Sequence, residues 1–324
     1  MQIYKFNSIL KFVLWGGDKI MAFKGLPSSH ESIGESWELS AMPGRESVVA
    51  EGDEKGLSLT ELVKRYGDQL VGKDVYRRYG DRFPLLVKLI DAKRDLSIQV
   101  HPGDELASRR HGCTGKNEMW YILQAEDGAL IRTGFNRKMS GEELDRRLAD
   151  GSLLDVVNCT ASQPGDTFYI PAGQIHAIGA GNLLIEIQQS SDITYRVWDY
   201  DRRDSDGNLR QLHVQEAHEA LDYNARDGQV HDMPHVGNGL TRLVQSDEFV
   251  VYHLDVNGYN RQEFAGEHSF VALVCVEGKT NITVDGMPQV IISQGETALV
   301  PAIADRVEFN GSARLLMTIV PNKN

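Results

Sequence analysis

Four side chains with lone pairs to offer a cation fall on or beside short apolar runs in the first half of the chain: Gln99, His101, Glu118 and His176. From Leu96 to His101 the alternation is strict. It places Leu96, Ile98 and Val100 on one face of a strand and Ser97, Gln99 and His101 on the other. Taken alone, such a segment reads first as an ordinary amphipathic strand with its polar side in water. Its neighbours change that reading. The run Gly115 to Leu123 supplies a second strand that brings Glu118 beside the polar face, and Gly165 to His176 leads from a glycine turn through a strand punctuated by Pro171 and Gly173 to an imidazole. Two imidazoles, a carboxylate and an amide oxygen form a mixed N/O set suited to zinc or another first-row divalent ion. Fewer than six protein ligands leaves room for water or substrate, so the site would be catalytic in type.

The spacing G-x5-P-x-G-x2-H from Gly165 to His176 matches the second cupin signature. Gln99-x-His101, Glu118 and Gly128 match the first, with Gln in place of its first His. The chain therefore resembles the cupin superfamily, whose jelly-roll barrels enclose a pocket into which alternate side chains point. Candidate pocket groups follow. Glu186 lies opposite Leu183, Ile185 and Ile187, and a lone carboxylate amid apolar residues is costly unless it is paired or faces a polar cavity. Asp192 and Arg196 come next, four apart, a pair that alone would mean no more than a surface contact of little worth.

The segments LLVKLIDAKRDLSIQVHPGD (Leu85 to Asp104), GKNEMWYIL, GDTFYIPAGQIHAIGAG and IEIQQSSDITYRVWDYDR, with LWGGDK and IGESWELSA nearer the start, resemble type I mannose-6-phosphate isomerases, most of all the short bacterial form. The matching stretches span the first two-thirds of the chain. The resemblance implies a metal-dependent aldose-ketose isomerase that interconverts mannose 6-phosphate and fructose 6-phosphate through an enediolate by proton transfer. It implies one Zn2+ per chain, or another divalent first-row metal, held by Gln99, His101, Glu118 and His176. Lys116 matches a lysine proposed to transfer protons, Arg196 an essential arginine, Asp192 an aspartate linked to ring opening, and Glu186 a carboxylate also proposed as base. Ser97 and Lys88 fall where substrate phosphate contacts are expected, and Trp15 and Glu38 are expected to line the same cavity. Lys116 and Glu186 remain competing candidates for the base. One departure is visible: Lys11-Phe12-Val13-Leu14 lacks the arginine usual just before this Trp-Gly-Gly. Two rival readings are a non-catalytic sugar-binding cupin, which would need no pocket base, and an Fe(II) dioxygenase, whose facial triad fits Gln99 and the Lys116 and Arg196 pair poorly.

The elements that must position these groups are mostly short strands separated by glycine and aspartate turns, which points to a mainly β fold of two jelly-roll (cupin) domains with a few inserted helices. Ser58 to Glu61 and Ser140 to Glu143 carry capping-box patterns. The first opens a helix with Leu59, Leu62, Val63, Tyr66 and Leu70 on one face; the second carries Leu144 and Leu148 and stops near Gly151; a third runs from about Val214 to Leu221. A polar, glycine-bearing stretch from Asn224 to Gly239 reads as a linker, with His231 and His235 as solvated linker residues. The expected division is a catalytic, metal-binding domain at 1–235 and a degenerate cupin at 236–324. In the latter, Gly295 to Pro301 repeats the turn-strand-proline half-motif. Arg306 replaces His176 and His268 falls at the Glu118 position, so no second metal site is expected.

The 324 residues carry a net charge of −12, which repels nucleic acid and anionic lipid at long range. Neither is an expected partner, and an anionic sugar phosphate would need local cations. No signal-peptide pattern or spanning apolar run is evident, so a cytoplasmic enzyme, monomer or homodimer, is expected. Cys113, Cys159 and Cys275 lack any CxxC spacing and read as free thiols.

Overall fold

Alternating patterns become strands along most of the chain in the computed structural model, which describes residues 1–28, 32–203, 206–226, 239–264 and 269–323. The fold is mainly β, as expected, with seven α-helices among the described residues. A six-stranded sheet runs in the order Thr167–Ile170, Glu118–Ala125, Asn182–Gln189, Leu85–Ala92, Ile33–Leu39, Ile9–Gly17. A five-stranded sheet runs Val157–Ala161, Leu130–Phe135, His176–Ile178, Ile98–Val100, Tyr195–Trp198. Ile90, Trp120, Ile122 and Leu184 of the first pack with Ile131 and Ile178 of the second, so the two face each other across one apolar core. Beyond the end of that core lies the candidate site.

Strands of the C-terminal part form a third, eight-stranded sheet in which Thr297–Val300 pairs with Val271–Thr283 and, on its other side, with Tyr4–Asn7. The start of the chain is thus built into the sheet of its end. The core follows suit: Tyr4, Phe23, Val49 and Phe83 share one buried cluster with Phe270, Leu316 and Val320.

Local chemistry explains the helices. Ser58 accepts from the Glu61 backbone N–H at 3.2 Å while Glu61 accepts from the Ser58 N–H at 2.8 Å, which opens the helix Leu59–Tyr66. The expected continuation to Leu70 breaks at Gly67, and two further short helices, Asp68–Val71 and Lys73–Tyr79, follow. Ser140 caps Gly141–Asp150, which ends on left-handed Gly151. Val214–Ala220 forms as expected. Asp104–His111 is an additional helix; with only Ala107 buried, it carries no apolar stripe to announce it.

The alternation from Leu96 to His101 holds only from Ile98 onward. Ile98 and Val100 pack beside Phe135 and Tyr195, whereas Leu96 precedes the strand and packs with Trp120 and Phe168. The residues 227–238, with His231, His235 and the 235/236 boundary, lie outside those described, as does His268. Arg306 opens the strand Arg306–Ile319 and pairs with Asp285, away from any ligand cluster. No described helix is long and apolar enough to cross a membrane.

Candidate metal centre and substrate cavity

Gln99 and His176 face each other in the register of the five-stranded sheet, and His101 follows one residue after the strand Ile98–Val100. Glu118 opens its strand in the opposite sheet. These four side chains meet at the end of the core. His101 Nδ1 lies 2.8 Å from the Ile193 carbonyl and His176 Nδ1 lies 2.8 Å from the Gln174 carbonyl. A carbonyl only accepts, so each ring donates its Nδ1–H there and keeps a lone pair on Nε2. The two Nε2 atoms stand 3.1 Å apart, each 3.4 Å from a Glu118 oxygen. All three side chains are buried, and both Glu118 oxygens lack a hydrogen bond of ordinary geometry, although Lys116 Nζ lies 2.8 Å from Oε2.

Facing lone pairs beside a buried carboxylate repel unless a cation joins them, and His101, Glu118 and His176 form a group that could hold a metal ion. Protonation states agree. Burial, acting against Glu118, pushes His176 down to about 3, and it lowers His101 in the same way with help from Lys116. Burial opposes the charge on Glu118, but Lys116 and His101 hold it well below the ordinary carboxylate range. Two neutral imidazoles and an ionised carboxylate are the forms that ligate. Gln99 places Nε2 3.2 Å from His176 Nε2 and accepts at Oε1 from Ser97 at 3.3 Å. Exchanging its amide O and N turns the oxygen toward the same centre while Ser97 still finds a partner.

Beside this centre lies a cavity of about 280 Å³. Of the residues expected there, Lys116, Arg196, Glu186, Asp192, Ser97, Lys88, Trp15 and Gln99 all line it. Glu186 and Lys88 face each other in register and pair at 2.9 Å, and the Trp120 indole N–H donates to the other Glu186 oxygen at 3.1 Å. Burial works against the Lys88 charge, but Glu186, Glu35 and Asp192 together hold it protonated above the ordinary lysine range. Lys116 Nζ lies 3.0 Å from His101 Nε2. Asp192, at the half-open rim, is bridged to Arg45 at 3.2 Å.

Glu38 does not line this cavity. In the strand Ile33–Leu39, residues two apart share a face, so Glu35 and Trp37 look one way and Ser36 and Glu38 the other. Glu38 is buried against Lys24 at 2.8 Å, with Ser36 donating at 2.6 Å, and it is Glu35 that lines the cavity. Arg210 and Thr194 also line it without having been singled out in the sequence, and so does Leu96, which the alternation had placed on the face opposite Gln99. The alternation in IGESWEL was a usable signal for Glu35; nothing local marked Arg210.

Residues 3–133 match the family model for the catalytic domain of type I phosphomannose isomerase, and residues 240–320 match that for the cupin domain of mannose-6-phosphate isomerase. The chain is 34% identical over 307 residues to a mannose-6-phosphate isomerase of Streptococcus mutans, covering 94% of this chain and 93% of that one. It is 33% identical over 321 residues to the mannose-6-phosphate isomerase ManA of Bacillus subtilis, covering 97% of each. Among solved structures, a mannose 6-phosphate isomerase from Bacillus subtilis superposes with a TM-score of 0.87 at 34% identity, over 98% of this chain and 99% of that one. A variant of phosphomannose isomerase from Salmonella typhimurium, 18% identical, superposes over the whole of both chains at a TM-score of 0.80 and shares the fold.

Proposed function

Since the chain belongs to the type I mannose-6-phosphate isomerase family, we propose that it interconverts mannose 6-phosphate and fructose 6-phosphate by proton transfer between C1 and C2, with zinc as its metal. The observation that carries this reading is the convergence of two imidazole lone pairs and a carboxylate at the end of a cavity that also holds Lys116 and Glu186. A divalent ion held by His101, Glu118, His176 and Gln99 would serve as a Lewis acid, easing the build-up of charge on the sugar's oxygens.

The chain's own groups supply the rest. Ring opening moves a proton from the anomeric hydroxyl to the ring oxygen, and Asp192, half-exposed at the rim, is the proposed carrier. The next step removes the proton from C2 of the open aldose and returns one to C1, while the hydroxyl proton on O2 passes to O1. Lys116 and Glu186 are the two candidates, both buried and both lining the cavity. Lys88 and the Trp120 indole each hold one Glu186 oxygen and so fix the carboxylate against the sugar. Arg196 stands across from Gln99 in the strand register, placed to favour negative charge on the enediolate. Ser97 and Trp15 complete the wall, with Trp15 largely buried and offering an apolar face to the sugar.

The test is conversion of mannose 6-phosphate to fructose 6-phosphate by the purified full-length protein, before and after chelation, with metal measured on the same samples. Turnover that disappears with the metal and returns on adding zinc supports the reading. Metal-loaded protein that binds the sugar phosphate but never isomerises it would instead favour a sugar-binding cupin.

A further inference from the structure

The strand that carries Glu118 begins at that residue, so the sheet holds Glu118 but not the lysine two places before it. Glu118 has ladder partners on both sides, Ile170 and Gln188. Lys116 stands outside the ladder, on a segment that must be fixed by other means if its amine is to stay 2.8 Å from Glu118 and 3.0 Å from His101. Its own N–H donates to the Pro102 carbonyl at 3.1 Å. The residues on either side of it are held by side chains. Gly115 N–H donates to Asp104 Oδ1 at 2.7 Å, and Asn117 N–H donates to Gln189 Oε1 at 2.9 Å. Gln189 Nε2 donates to the same Asp104 oxygen at 3.0 Å, which closes the two side chains into one bracket around Lys116. The backbone fixes the sense of these bonds. A main-chain N–H only donates, so the Gln189 atom facing Asn117 is oxygen and the one facing Asp104 is nitrogen. Asn117 is set in the same way: Ala172 N–H donates to its Oδ1 at 2.9 Å, and its Nδ2 turns to Gln189 Oε1 at 2.7 Å.

We propose that Gln189 is the residue that positions Lys116 for proton transfer, a refinement that rests on the isomerase reading above. A lysine amine sits at the end of a flexible four-carbon stem, so its placement depends on where the backbone starts it. A misplacement of about 1 Å in a reacting site can cost about a hundredfold in rate. Gln189 is buried, with its amide partnered at both ends, and it is not among the residues that line the cavity. Its effect on the reaction therefore passes through Lys116. Gln189 also ends the strand Asn182–Gln189 that carries Glu186, and its own N–H donates to the Asn117 carbonyl at 3.1 Å. The bracket thus sets the spacing between the elements that bear the two candidate bases.

Metal-loaded wild type, Q189L, Q189E and the double variant Q189E/D104N decide the matter, with kinetics on mannose 6-phosphate, metal content and melting temperature taken from the same preparations. Q189L removes both ends of the amide, and its kcat is expected to fall by about tenfold or more with the Michaelis constant held within about threefold. Metal content should stay at the wild-type level, because Glu118 keeps both ladder partners. Q189E keeps the acceptor for Asn117 but sets a second carboxylate against Asp104, and it too should lower kcat. Adding D104N gives that carboxylate a donor again, so the double variant should return to within about threefold of the wild-type kcat. A merely stabilising amide would lower the melting temperature without this split or this rescue. Unchanged kcat in Q189L, a loss that accompanies loss of metal, or a double variant no faster than Q189E overturns the proposal. Should Q189L fail to fold, Q189E and its rescue decide. If wild type proves not to isomerise mannose 6-phosphate, the function proposed above fails on its own account. Hydrogen exchange in the peptide spanning Gly115 to Glu118 then still tests the bracket: faster exchange in Q189L or Q189E than in wild type supports it, and equal exchange overturns it.

Discussion

His101 and His176 are ligands in waiting because backbone carbonyls, not side chains, fix their tautomers. That makes each imidazole indispensable in a way no neighbour can replace. His176→Ala should lose both metal and activity, whereas Arg306→Ala, at the corresponding place in the C-terminal half, should change neither. Elemental analysis should find one ion per chain in wild type, and metal retained by the His176→Ala protein would contradict the ligand set. A second prediction at this scale separates Lys116 from Glu186. Turnover in D2O should place deuterium at C1 of fructose 6-phosphate, in part only if the closed cavity returns the proton before exchange. Whichever of Lys116→Ala and Glu186→Gln abolishes turnover while the metal content stays at wild-type level is the base. Absent label, with both variants turning over normally, would require a hydride shift instead. The convergence of His101, Glu118 and His176 was legible in the sequence because each sits at a fixed spacing from a turn or proline at the start or end of a strand. Glu38, expected along the cavity from the resemblance, faces away from it, and Glu35 lines it instead. Arg210 was not legible, since its approach to the cavity depends on Asp199 and Arg202 holding an irregular segment.

At the scale of elements, the starts of the helices Leu59–Tyr66 and Gly141–Asp150 could be read from four-residue patterns, because a cap is a local hydrogen bond; only the first closes the reciprocal box, since the Glu143 carboxylate turns to Arg137 and Arg147. The helix Asp104–His111 could not: its stability comes from the Gly103 to Gly115 turn closing on Asp104, which accepts from the Gly115 N–H at 2.7 Å, and from the last-turn arginines meeting Glu219. The strand carrying Trp15 shows a different dependence. Its register against Ile33–Leu39 shifts so that Phe12 and Gly17 both stand opposite Ile33, and the looped-out residues carry Trp15 over the cavity. That crossing needs glycine at 34, where a Cβ would sit 2.2 Å from Val13 Cγ2 and 2.7 Å from the Trp15 ring. Gly34→Ala must push one of these away. The expected cost in stability is about 1–3 kcal/mol, as for overpacking elsewhere. The Michaelis constant should rise as Trp15 leaves the wall, while metal content stays unchanged. Chemical denaturation and steady-state kinetics on the same preparation check both, and wild-type values for each would show that the strand can absorb the methyl group.

For the whole molecule, the two expected cupin domains raise the question of whether they are two folding units. Composition and motif spacing point to a break near the polar stretch after Asn224, and they carry no sign that the first strand belongs with the last ones. Strand pairing between residues about 290 apart leaves no local pattern, and Tyr4↔Leu299 and Lys5↔Ala298 are pairs of that kind. Phe83 packs against Phe270 with ring centroids 4.6 Å apart and the rings tilted by 36°, and the Phe270 N–H donates to the Val71 carbonyl, so helices of the N-terminal part are pinned to the C-terminal sheet. Neither part can open without exposing the cluster that contains both Tyr4 and Leu316. Unfolding should therefore be a single transition, and scanning calorimetry should give a van't Hoff enthalpy equal to the calorimetric one. Chelation should lower that one transition as a whole, by RT ln(1 + [M]/Kd) of lost binding free energy, because a metal held only by the N-terminal part stabilises everything that unfolds with it. Deleting residues 1–7 removes the strand that joins Thr297–Val300 to Val48–Val49 and should lower the melting temperature by an amount that metal cannot restore. Two separable transitions, with only the first responding to chelator, would mean that the shared strand and core do not couple the halves.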